Sequence, residues 1–297
     1  MTEAEGGVSG RRFVFSSWIG RVLLALLGCA LCLWTMVLRG ALTVNLGPVV
    51  LQPLPALVAL VGLLGGPVAV AGCVIGFIAY QTLQGVPSAW EGVGYLVLGV
   101  STYVLWGRFG QVRFRKPPQL RSSAEIREFL VVALLGALSS AVVTTWGYEI
   151  FGAFPFYPTA LFVTLGQFAS VALVGGFVLA VVPRVVGESR WRVAVETVRL
   201  PHRQPAKNGR AWTVVTGGIL AVWLLVGSAA SVAVQVVELI PPYYLRLYGL
   251  DSLLWFTAGG ALGRTATAFQ VGLGACLVAL WILSLYRCGL VERPHAR

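Results

Sequence analysis

The chain has 297 residues, 57% of them hydrophobic and only 11% charged, with a mean hydropathy of +0.82. Soluble domains carry about 25% charged residues, so a water-facing surface of ordinary composition is excluded. The net charge of +11 does not mark a nucleic-acid partner. Its basic residues sit in short segments between apolar runs, with little soluble surface for a binding footprint.

The chain reads as an all-α polytopic integral membrane protein of about eight transmembrane helices. Spans are expected at about 18–38, 46–64, 66–84, 90–107, 127–149, 156–183, 212–237 and 264–286. Each is long enough, or nearly so, for about 30 Å of hydrocarbon. Residues 1–17 form a tail in which Arg11-Arg12-Phe13 is similar to a twin-arginine signal. No small-x-small cleavage site follows, so the first helix is expected to stay in place. Within it, Cys29 and Cys32 share one face and read as packing residues. The five cysteines are scattered, and none lies with histidine at zinc spacing, so no metal or cofactor is expected.

The second and third spans meet at Gly65-Gly66-Pro67, a tight corner in which Pro67 suits the first turn of the third helix. Pro48, Pro53 and Pro55 crowd the start of the second. Non-helical backbone at membrane depth is tolerated only under a cover of protein or beside a cavity, so these prolines predict an irregular, site-forming stretch. Gly62-x-x-x-Gly66 and Gly72-x-x-x-Gly76 present bare backbone for close helix approach within the bundle.

Charge sets the orientation. Nineteen of the 22 basic residues fall in segments 1–21, 108–127, 184–210 and 287–297. The positive-inside rule therefore places those segments, and both termini, in the cytoplasm. In the basic segment 108–126, Ser123 is the expected cap of the fifth helix, with Glu125 and Glu128 in its first turns. In the linker 185–211, Trp191, Val195 and Val198 line one side of an amphipathic piece that suits an anionic leaflet surface; a plain solvated basic loop fits equally well. The outer loop 238–263 is aromatic and predicts a short interfacial helix. The organisation is thus a tail (1–17), a six-helix bundle (18–184), the linker (185–211) and two further helices (212–297).

Catalytic sets are missing from the sequence. It has eleven acidic residues and two histidines, with no His-Glu-x-x-His, Walker loop or Gly-x-Ser-x-Gly. Neither histidine falls in a span, and no carboxylate falls at mid-span as a proton-driven carrier requires. An enzyme is therefore not expected. Polar and aromatic groups instead gather near the outer ends of spans two to six. They are Asn45, Gln52, Gln81, Gln84, Glu91, Trp146, Glu149 and Tyr157, with Gln167 deeper in the sixth span. An interfacial belt explains the aromatics, but amides and carboxylates gain nothing from lipid, so a ligand site is expected.

Leu46-Gly47-Pro48, Leu51-Gln52-Pro53, Leu64-Gly65-Gly66-Pro67 and the Gly85 turn resemble the substrate-binding S-components of energy-coupling-factor vitamin transporters. The order is similar to the biotin- and queuosine-precursor-type members, over residues 40–184. The resemblance implies a six-helix bundle in a prokaryotic cell membrane that binds a vitamin-like molecule at its outer face. It also implies partnership with a membrane coupling protein and two cytoplasmic ATPases, and it carries no ligand motif. The family's Ala-x-x-x-Ala on the first helix is only approximated by Ala25 and Cys29, and two helices are added. A membrane sensor or scaffold acting through partners is the alternative.

Overall fold

The computed structural model describes residues 18–46, 49–85, 89–109, 120–151, 153–187, 189–191, 209–239 and 263–289. Among the described residues the regular structure is helical apart from one short hairpin. In order come α1 (Trp18–Val37), α2 (Arg39–Leu42), β1 (Val44–Leu46), β2 (Val49–Leu51), α3 (Pro53–Leu83), α4 (Ala89–Phe109) and α5 (Ser123–Ile150). Then follow α6 (Phe156–Ser170), a π-helical turn (Val171–Gly175), α7 (Gly176–Val186), α8 (Gly209–Leu239) and α9 (Gly263–Gly289). Among the described residues five helices are long and apolar enough to cross a membrane: Ile19–Val37, Pro53–Leu83, Ser123–Ile150, Phe156–Val186 and Ala211–Val232. A shorter apolar helix covers Val271–Arg287.

The 31 residues of α3 do not form one straight rod. Gly66 has φ 72° and ψ −167°, a conformation open to glycine and strained for other residues, and Pro67 then restarts the helix. Val58 and Val70 both pack against the Gly99 position of α4. A continuous helix would hold those valines about 18 Å apart, so the chain must double back at Gly66. Gly62 faces the Gly99 backbone and Gly66 the Tyr103 ring, while Gly92 faces Val74 and Ile78. The first limb thus runs parallel to α4 and the second antiparallel. Ala25 opposes Gly72 and Cys29 opposes Gly76, so α1 runs parallel to the second limb.

Helix association gains little from the hydrophobic effect where the surroundings are themselves apolar; close packing and hydrogen bonds must supply it. Three buried clusters carry the packing. One joins α4, α5, α8 and α9 through residues such as Leu105, Val142, Leu220, Trp223 and Trp281. A second centres on Leu60, Leu63, Phe129 and Leu179, and a third on Cys32, Leu54, Val58, Val70, Cys73 and Phe77. Hydroxyls pin the helices across these clusters. Ser140 Oγ donates to Gly94 O at 2.8 Å, Trp281 Nε1 donates to Ser139 Oγ at 3.2 Å, and Thr216 and Ser284 share a bond of 2.9 Å. The outer faces stay apolar: Leu26, Trp34, Leu173, Phe177, Val214 and Leu225 are all exposed.

Two expectations change. Residues 46–51 do not begin a membrane helix; they belong to an antiparallel hairpin in which Val44 pairs with Leu51, Asn45 with Val50 and Leu46 with Val49. β-branched residues and a Gly47-Pro48 connection favour strand over helix, and the helix starts at Pro53. The α5 cap is Ser122 rather than Ser123: its Oγ accepts the Glu125 N–H at 3.2 Å, while Glu125 Oε2 accepts the Arg121 N–H at 3.0 Å. The expected helix in 238–263, and Val195 and Val198 of the linker, lie outside the described residues.

A Cβ on Gly72 would collide with the Ala25 carbonyl, whereas one on Gly218 meets open space. Gly72→Ala is expected to cost about 1–3 kcal/mol and Gly218→Ala nothing, measured by detergent-titrated unfolding. In the same assay Trp281→Phe removes the bond to Ser139 and costs about 1 kcal/mol.

Candidate ligand pocket

The second strand of the hairpin lies against α6. Gly166 carries no side chain, which lets the backbone of Val50 approach the helix; a Cβ there would stand 3.0 Å from the Val50 carbonyl oxygen. One turn further on, Ser170 Oγ accepts the Gln52 N–H at 3.1 Å. Ser170 lies twelve residues after Pro158, where the helix resumes beyond the extended Tyr157, so this contact is roughly 18 Å along α6. Gln52 is itself extended, with φ −127° and ψ 143°, and α3 begins directly after it without a side-chain cap. A helix that starts inside protein leaves its first N–H groups without partners. Pro53 and Pro55 have no N–H, so they remove two of those donors.

These elements enclose a pocket of about 240 Å³ lined by Val50, Gln52, Pro55, Glu91, Tyr95, Phe162, Val163, Gly166 and Gln167. That is near the lower end of ligand pockets, roughly 300–1,000 Å³. Three of the sequence-predicted candidates come together here from three elements: Gln52 ahead of α3, Glu91 from α4 and Gln167 from α6. Tyr95 lies one turn after Glu91 and donates its hydroxyl to Glu91 Oε1 at 3.5 Å. Its ring is fixed edge-on to Phe77, with centroids 5.0 Å apart. The Gln167 Oε1 atom is buried and has no hydrogen-bond partner. A buried acceptor left this way costs about 1–3 kcal/mol, a penalty that a donor placed in the pocket would remove.

The other candidates stand apart from the pocket. Asn45 is exposed on β1, and Gln84 ends α3, its N–H bonded to Tyr80 O. Gln81 is half-buried in the last turn of the same helix. Trp146 belongs to an aromatic stack, 6.1 Å from both Trp90 and Trp223, and it seats against Gly274 of α9. Trp90 anchors that stack by donating Nε1 to Val143 O at 3.2 Å and Thr144 O at 3.1 Å. Glu149 accepts hydrogen bonds from Ser231 and from the Phe156 N–H. Ser231 Oγ in turn accepts the Tyr157 N–H at 3.3 Å. Glu149 therefore caps the buried start of α6 and ties it to α8, while the Tyr157 side chain points outward and is exposed.

Sequence reading passed over Tyr95, Gly166 and Ser170. The available signals were spacing: Glu91 and Tyr95 are one turn apart, and Gly166 and Ser170 form a small stripe of the same spacing in an apolar helix. The pocket offers an amide oxygen, a carboxylate, a second amide and a phenol against Val50, Pro55, Phe162 and Val163. Among the described residues no group of His, Cys, Asp or Glu could hold a metal ion. No protein-family model matches the chain, and no match to it is found among curated proteins or solved structures.

Proposed function

We propose that the chain is a multi-pass protein of the cell membrane that binds a small molecule in the pocket between β2, α4 and α6, as the binding or transport subunit of a system powered by other proteins. The observation that carries this reading is Gln167 Oε1, a buried acceptor without a partner in the wall of a cavity that also holds Glu91 and Gln52. A folded chain tolerates such an atom at a site whose ligand completes it. The ligand is then a compact, largely apolar molecule bearing at least one N–H or O–H.

The membrane arrangement has eight spans: α1, the two limbs of α3, α4, α5, α6 continued through α7, α8 and α9. Both termini are cytoplasmic. The reversal at Gly66 supports the count, and the basic segments 108–127 and 184–210 support the orientation. The pocket then opens toward the outer side, near the starts of α4 and α6. The S-component resemblance and the lack of a nucleotide loop in the sequence favour a membrane coupling protein and cytoplasmic ATPases as partners. A sensor or scaffold is favoured by one feature: α8 and α9 pack on α4, α5 and α6 yet add no residue to the pocket wall.

Mass spectrometry of the small-molecule fraction tests the site. Protein extracted in mild detergent is expected to carry a compound that Gln167→Leu retains about tenfold less. Gly166→Val pushes β2 off α6 and loses the compound altogether, while Asn45→Ala keeps it. Equal retention by all three variants refutes the pocket. ATPase subunits in the same preparation indicate transport; a signalling protein without them indicates sensing. For the topology, Lys116→Cys and Lys207→Cys in a cysteine-free background are expected to resist an impermeant maleimide in intact cells. Labelling of either from outside reverses the orientation.

A further inference from the structure

Charge is unevenly supplied to the pocket between β2, α4 and α6. Among the described residues that line it, Glu91 is the single carboxylate, and no Lys, Arg or His occurs. Glu91 is half-buried in the first turn of α4, where the helix dipole stabilises negative charge. It accepts the Tyr95 hydroxyl at 3.5 Å, a long bond from a neutral group. Tyr95 is itself buried and fixed edge-on to Phe77. Its proton is directed at the carboxylate, so its oxygen turns lone pairs, not a donor, to anything else. The pocket wall presents polar as well as apolar surface. Glu149, the other carboxylate near these helix ends, is taken up by Ser231 and the Phe156 N–H.

We infer, resting on the pocket proposed above, that the bound molecule is an organic cation: a small protonated amine whose N–H groups meet Glu91 and whose hydrocarbon lies against Val50, Pro55, Phe162 and Val163. A carboxylate held partly away from water is unfavourable unless donors and an opposite charge face it. It has about four acceptor sites, more than one phenol fills. An ammonium is all donor, so its protons match the carboxylate, the phenol oxygen and an amide oxygen of Gln52 or Gln167. A neutral alcohol brings one proton and no charge. An anion is repelled by Glu91 and meets no basic side chain among the described lining residues. The two amides do not choose between these ligands, because each holds both a donor and an acceptor; the carboxylate does. Tyr95 and Phe162 add aromatic rings to the same wall, and such rings attract a cation more than a neutral group. The volume of about 240 Å³ limits the amine to a compact one.

Three probes with one branched hydrocarbon body and different heads test the charge: isoamylamine, isoamyl alcohol and isovalerate, measured by equilibrium dialysis against the full chain in mild detergent. Wild-type protein is expected to bind the amine about tenfold more tightly than the alcohol, and isovalerate no better than the Gly166→Val background. Glu91→Gln keeps the shape and the hydrogen-bonding capacity but not the charge. It brings the amine down to the level of the alcohol and leaves the alcohol unchanged, which also shows that the pocket is still folded. Equal binding of amine and alcohol by wild type, with both lost in Gly166→Val, overturns the cation and leaves the pocket standing. An amine preference that survives in Glu91→Gln, or no amine binding at all, overturns it as well. Binding of all three probes that persists in Gly166→Val refutes the pocket itself, as does equal retention of the copurified compound by Gln167→Leu.

Discussion

The arrangement depends on how a stretch of non-helical backbone is satisfied away from water. Residues 44–46 and 49–52 lie outside the helices, and each unpaired backbone group in an apolar setting costs several kcal/mol. β1 and β2 satisfy one another through their ladder. Beyond it, Ser170 takes the Gln52 N–H, and Pro53 and Pro55 remove donors that would otherwise be left over at the start of α3. Gly166 supplies the room for the strand to come this close. With β2 seated on α6, α3 starts part-way along α6 rather than at its end, and the volume that a full-length helix would fill remains as the pocket.

The same requirement explains which polar residues have their bonds committed within the bundle. Trp90, Ser140, Glu149, Thr216 and Trp281 all look functional in so apolar a chain, but each has its bond committed within the bundle. Their contribution is packing specificity. Close approach of small residues accompanies these bonds: Gly94 lies against Thr144, Gly147 against Trp90, and Gly274 against Trp146. Gln167 and Trp191 are different, because both line cavities, Gln167 the ligand pocket and Trp191 an apolar groove between α1 and α3, and both carry a buried atom that the protein leaves unbonded.

Much of this was legible in the sequence because hydropathy and punctuation act locally. Apolar length located most helices to within a few residues, the start of α3 at Pro53 rather than 46 being the exception, and Gly65-Gly66-Pro67 marked the reversal in α3, since positive φ followed by proline stops one helix and starts another. The pairing of 44–46 with 49–51 was less visible. Val44, Val49, Val50 and Leu51 are as apolar as any membrane helix, and strand or helix is decided there by the seat on Gly166, more than 110 residues away in sequence. The site was half legible for a similar reason. Gln52, Glu91 and Gln167 stood out by type, but type alone could not separate them from Gln81, Gln84 and Glu149. Glu149 and Gln52 both sit next to helix starts. Only the three-dimensional partners, Ser231 and Phe156 N–H for one and the pocket for the other, set them apart.

An aromatic and polar belt and a binding site have the same composition at the end of a helical bundle, so residue counting cannot tell them apart. Hydrogen-bond accounting can. A belt residue is satisfied by water or headgroups and need not be buried; a packing residue is buried and satisfied by protein. Gln167 fits neither description, because its oxygen is out of contact with solvent and unmatched by any donor around it. Trp191 fits neither for the mirror-image reason. In a chain with only 11% charged residues, few other groups could compensate such atoms. Ser101 Oγ and Thr144 Oγ1 are buried and unmatched as well, but they line neither cavity; the unmatched atom is informative where its residue also lines a cavity.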